Sequence, residues 1–148
     1  MGFQVLVPGT PKIEPQTVQT PNGPVKMDKF TVRPKRPNEF YMVICIQCPA
    51  DVDLAGRDKL LEAGRQDLLQ VSKGQIRNQA SILLNGWPGF ELEFSNDNSF
   101  IKARILATKD KLYEVVAWVP KIRSQADDIP KFLNSFKVPE RQSAVEPD

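Results

Sequence analysis

Apolar and polar positions alternate with a period of two along most of this chain, and a helical spacing replaces the alternation twice. Phe3–Val7 is a short apolar run stopped by Pro8-Gly9. Thr17–Thr20, Val25–Val32 and Glu39–Cys48 read as β segments rich in β-branched and aromatic residues, separated by Pro21-Asn-Gly-Pro24 and Arg33-Pro-Lys-Arg-Pro37. Prolines at this density suit sheet edges and tight turns and forbid a helix, because each removes a backbone donor and fixes φ. A second β run covers Gln75–Leu84, Gly89–Ser95, Phe100–Thr108 and Lys111–Val119, with joints at Asn85-Gly-Trp-Pro-Gly89, Asn96-Asp-Asn-Ser99 and Lys109-Asp110.

Between the two runs, Leu54, Leu61, Leu68 and Val71, with Leu60 and Gly64 beside them, predict a long helix over Asp53–Ser72. Asp53 is placed to cap its first free amides, Gly74 to end it in a left-handed turn, and Gly64 to let it approach the sheet closely. A short helix over about Asp127–Ser135 offers Ile129, Phe132, Leu133 and Phe136 to one side. Leu112–Val119 is apolar on both faces except at Glu114, the mark of a central strand covered on each side. The expected fold is α+β, an α/β/α sandwich whose mostly antiparallel sheet of about seven strands carries helices on both faces. Residues 1–138 are expected to form one domain, and 139–148, polar and without periodicity, a flexible tail.

Composition narrows function mainly by exclusion. At 148 residues, 41% hydrophobic and 26% charged, the chain is ordinary globular material. Its net charge of +2 supplies no basic field of the kind nucleic-acid binders carry, so no nucleic-acid partner is expected. No run approaches the ~18 apolar residues of a membrane span. The start carries no secretory leader, which leaves two compartments open: cytoplasmic, or extracytoplasmic if a leader has been removed ahead of Phe3.

Histidine is absent, and with it the commonest general base and the usual zinc ligand. Cys45 and Cys48 have redox-like spacing, yet on a strand an offset of three turns their thiols to opposite faces. Their Cα atoms would lie roughly 10 Å apart, beyond disulfide reach, so both read as core thiols. Asn96–Ser99 reads as an Asx-rich turn, lacking the spaced oxygens and distal glutamate of a calcium loop. Glu91 and Glu93 share a face opposite Lys102 and Arg104, as a cross-strand charge ladder would. No catalytic residue, cofactor or metal is expected.

Two features suit a partner protein. Arg33, Lys35 and Arg36 form a basic loop able to meet acidic groups, although a solvated turn that discourages edge pairing is the plainer account. Trp87, in a punctuated hairpin joint, would make an interface anchor if exposed and a local staple if folded over the sheet end.

The order meander, long helix, meander, short helix is joined by three stretches: Phe3-Gln-Val-Leu-Val-Pro-Gly-Thr-Pro11, Leu84-Asn-Gly-Trp-Pro-Gly-Phe-Glu91 and Asp128-Ile-Pro-Lys-Phe-Leu-Asn-Ser-Phe-Lys137. Together they resemble the PsbP/Mog1-like superfamily over nearly the whole length, to about Val138. The resemblance implies a non-enzymatic adaptor, accessory or assembly role, as in relatives that serve photosystem assembly, small-GTPase binding or bacterial accessory functions. It carries no functional residue onto this chain, and the histidines used by photosystem members have no counterpart here. The expected function is that of a non-catalytic interaction or accessory protein. The rival is a small-ligand carrier with a pocket between sheet and helices, lined by Phe94, Tyr113 and Trp118.

Overall fold

The computed structural model describes residues 3–20, 23–48 and 54–139. A first meander, β1 (Lys12–Thr20), β2 (Gly23–Val32) and β3 (Phe40–Gln47), leads to the helix α1 (Leu54–Ser72). The second meander is β4 (Gln75–Leu84), β5 (Trp87–Ser95), β6 (Ser99–Ala107) and β7 (Lys111–Pro120). A 3-10 turn (Lys121–Arg123) and the helix α2 (Asp128–Ser135) follow.

All seven strands form one antiparallel sheet in the order β1-β2-β3-β7-β6-β5-β4. Crossing by α1 sends β4 to the far edge, so the second meander returns toward the first and β7 docks on β3. The most apolar strand thus becomes central, with every residue from Leu112 to Ala117 buried. Its odd positions, Tyr113, Val115, Ala117 and Val119, join Ile129, Phe132, Leu133 and Phe136 in the layer beneath α2. Leu112 and Val116 join Leu61 and Leu68 of α1, with Leu92, Phe94, Ile101 and Ile105, in the opposite layer. Each such side chain taken from water contributes about 1.5–3 kcal/mol, which is what holds both helices to the sheet.

Several local expectations shift. Phe3–Val7 does not add a strand. It makes one bridge, Gln4 with Lys137 (N···O 2.9 and 2.8 Å), and lies as a strap across the α2 side of the sheet. Its side chains gain more by packing down than by pairing at an edge: Phe3 stacks edge-on against Phe30 (5.1 Å) and Tyr113 (5.8 Å). β1 starts at Lys12 instead of Thr17, and Pro15 is tolerated within it because β1 is an edge strand. The β4–β5 joint contracts to Asn85-Gly86, both at positive φ (53° and 86°), as a two-residue mirror-type turn requires; Trp87 therefore lies on a strand.

Lys73, at φ 51°, takes the left-handed position after α1 that Gly74 was expected to hold. Gly74 is needed for a different reason, since a Cβ there would sit 2.8 Å from the Ser95 carbonyl oxygen. Val71 is 62% exposed because Ser72, four residues beyond Leu68, continues the buried stripe. Asp53 and the tail from Glu140 onward lie outside the described residues. The second meander's turn and charge ladder form as expected. Asn96 Oδ1 accepts from the amides of Asn98 (2.9 Å) and Ser99 (2.7 Å), and Lys102 reaches Glu91 (3.4 Å) and Glu93 (3.8 Å) across the β5–β6 pair.

Gly64 marks the closest approach of α1: a Cβ there would be 3.3 Å from Ile105 and 3.7 Å from Glu114 Oε2. Glu114 is only 2% exposed, and its Oε1 has no hydrogen-bond partner among the described residues. Ile44 and Ile105 flank it on the neighbouring strands. Burial, with repulsion from Asp67 adding to it, pushes the carboxyl up to about 7. A folded value above the ordinary 4.5 favours the folded state while the group is protonated, and that advantage is lost as pH rises from about 4.5 to about 7. Glu114→Gln should therefore raise stability by up to about 3 kcal/mol at pH 8, the gap closing below about pH 5. Denaturant titrations across that range check this; a gap independent of pH would show that the carboxylate is not buried as a charge.

Candidate binding groove

The two helices cover the sheet unequally. α1, nineteen residues and about 28 Å long, packs over β5, β6 and β7, whereas the eight residues of α2 extend only about 12 Å and pack over β6 and β7. On the α2 side, the width beyond the helix over β1–β3 falls to the strap. The fit is incomplete and leaves a half-open cavity of about 390 Å³.

Its floor is Val32, Tyr41 and Val43, with Phe132 as one wall, all at most 2% exposed. Phe3, Val5 and Val7 of the strap form the roof, and Ile13 of β1, 53% exposed, marks the mouth. Phe30 and Pro11 complete the apolar lining; Gln4 is its amide-bearing member. Water filling it would need two to four polar partners per molecule, which these walls hardly supply. The cavity suits an apolar occupant.

Behind the floor lies a charged cluster. Glu39 Oε2 accepts from Tyr41 Oη (2.9 Å) and Arg36 Nη2 (3.0 Å), and Oε1 accepts from Arg123 Nε (2.9 Å). Arg36 Nη2 also donates to Asp128 at the start of α2 (2.7 Å). Burial alone would raise the Glu39 carboxyl, but hydrogen bonds from Arg123, Arg36 and Tyr41 outweigh it and hold it at about 2. The cluster pins the β2–β3 loop, the 3-10 turn and α2 together and fixes the Tyr41 ring in the floor. Burial and the hydrogen bond to Glu39 push the Tyr41 phenol up, so it stays a donor.

The residues singled out from sequence fall at separate places. Arg36 spends its guanidinium on Glu39 and Asp128. Arg33 lies over the Phe40 ring (5.0 Å), which stacks on Trp118 (5.2 Å), and Lys35 is exposed in the same loop. Trp87 is 7% exposed and its Nε1 donates to the Pro139 carbonyl (3.0 Å), closing the end of the α2 layer beside a smaller hollow of about 150 Å³. Phe94, Tyr113 and Trp118 do not line a common pocket. Tyr113 and Trp118 are five apart on one strand, an odd offset that puts them on opposite faces, and Phe94 is fully buried beneath α1. The groove was missed because its aromatic members, Phe3, Phe30, Tyr41 and Phe132, come from four distant segments. The shared alternation of Phe30/Val32 with Tyr41/Val43 was the signal for its floor. Cys45 and Cys48 pack in opposite layers, their thiols pushed up by burial. Among the described residues no group of three or more Cys, Asp or Glu side chains could hold a metal ion, and no helix is long and apolar enough to cross a membrane.

Among solved structures, this chain is similar to the solution structure of cyanobacterial PsbP (CyanoP) from Synechocystis sp. PCC 6803. The TM-score is 0.53 at 14% identity, covering 84% of this chain and 92% of that one. The likeness establishes a PsbP-like fold, as the three sequence stretches implied. No family model matches the sequence, nor does any curated protein.

Because Glu39 is depressed below its ordinary 4.5, its cluster stabilises the fold above that pH and the contribution fades as pH falls toward 2. Arg123→Met should destabilise the fold at pH 7, by less than losing a partner from a fully buried pair, because Arg123 remains 32% exposed. The cost should shrink below about pH 3, which urea unfolding at both pH values would measure.

Proposed function

We propose that this chain is a non-catalytic accessory or assembly protein that works by binding another protein. The observation that carries the reading is the chemistry of the recess beneath the strap, which is walled by aliphatic and aromatic side chains and offers neither a nucleophile nor an ionised base. The PsbP-like fold supports it through the accessory roles that the resemblance implies. On this reading Lys35 and Arg33 are the accessible basic contacts for an acidic partner surface, and Arg36 supports the loop that presents them.

A second reading is favoured by the same recess: a carrier for a small apolar ligand held between the strap, the sheet and α2. Its volume of about 390 Å³ falls within the range of ligand sites.

Affinity capture from the native cell, with Lys35→Glu and Trp87→Ala run beside the parent, tests the first reading. Lys35→Glu should leave stability within about 0.5 kcal/mol while weakening retention of the partner, more so at low salt. Trp87→Ala should cost about 3 kcal/mol in unfolding experiments, because it removes a buried indole and its hydrogen bond. Equal retention by both variants, measured where both are folded, would remove this loop and Trp87 from the interface. Turnover found in a broad activity screen would overturn the non-catalytic reading itself.

A further inference from the structure

We infer that the strap-covered groove takes one uncharged apolar molecule, of the chemical class of a long-chain or prenyl alcohol, with the strap as its roof. The inference rests on the carrier reading and commits it to a ligand chemistry. Charge is the first argument. No lining residue carries a formal charge at neutral pH, and the cations behind the floor, Arg36 and Arg123, are paired with Glu39 and Asp128. A carboxylate or ammonium drawn into the groove would lose its hydration without meeting a counter-charge.

Backbone chemistry is the second argument. An extended protein segment threaded beneath the strap would bring an amide and a carbonyl with each residue, and these need partners wherever water is excluded. Gln4 offers the one side-chain amide among the lining residues, and the Tyr41 hydroxyl already donates to Glu39. A hydrocarbon chain brings no such groups, and a single uncharged hydroxyl drawn in with it loses far less hydration than an ion does. Access is the third. The strap is tied to the end of α2 by the Gln4–Lys137 backbone pair and by the Leu6 amide donating to Ser135 Oγ (2.7 Å), bonds that can open and re-form as a ligand enters.

The test uses three probes of equal length, 1-dodecanol, dodecanoate and dodecylammonium, titrated at pH 8 against the whole chain by calorimetry and thermal shift. Dodecanol should bind one per chain, raise the melting temperature, and bind at least about tenfold tighter than either ion. Val43→Phe, which fills the floor, and Val5→Trp, which fills from the roof, should each weaken dodecanol at least about tenfold while near-ultraviolet dichroism stays native. If Val43→Phe fails to fold, Val5→Trp carries the test, since Val5 lies on the strap, outside the sheet and both helices. Dodecanol bound equally by the filled variants would place it elsewhere and overturn the inference. An ion bound as tightly as the alcohol would overturn the uncharged class and leave the carrier reading standing. No binding by any probe, together with ligand-free protein in native mass spectra from its own cells, would overturn both.

Discussion

Everything in this molecule is organised around a strand that cannot face water on either side. From Leu112 to Ala117 β7 is buried on both faces, so the sheet must be sealed above and below. α1 and α2 are the two seals, and the antiparallel order that sets β7 beside β3 puts the demand for cover at the sheet's centre. Glu114 shows how firm the demand is. A carboxyl group sits within that seal at Gly64, held in a protonation state set by its surroundings, and the strand keeps its place regardless.

The two seals differ in kind. α1 is long, packs over β5–β7 and lies close at Gly64, so its side of β7 is a packed core. α2 is short; apolar burial holds it to the sheet, and ions fix one end: Arg36 and Arg123 converge on Glu39 and reach Asp128 at the helix start. A buried carboxylate with several donors contributes little net stability against apolar packing of the same volume, but it specifies geometry. Here it fixes where α2 ends its cover and where the Tyr41 ring stands. The groove is the remainder, a consequence of a short helix on a wide sheet.

The strap is tied to the α2 layer by hydrogen bonds to Lys137 and Ser135 and by Phe3 against Phe30, Tyr113 and Phe136.

Period-two alternation and the apolar run of β7 determined, by themselves, that this chain makes a sheet with a helix on each side, because burial of a strand's two faces is a local property of its residues. The Asx turn at Asn96 and the ladder of Glu91 and Glu93 with Lys102 were legible for the same reason: the partners are near in sequence or set by hairpin register. Tertiary structure alone decided that Phe3–Val7 is a strap, that Lys73 rather than Gly74 turns left-handed, and that Val71 faces out. It alone joined Phe3, Phe30, Tyr41 and Phe132 into one cavity and drew Arg36, Glu39, Arg123 and Asp128 together. Those groupings depend on strand order and on how far α2 reaches across the sheet, and no local pattern of apolar and polar residues encodes either.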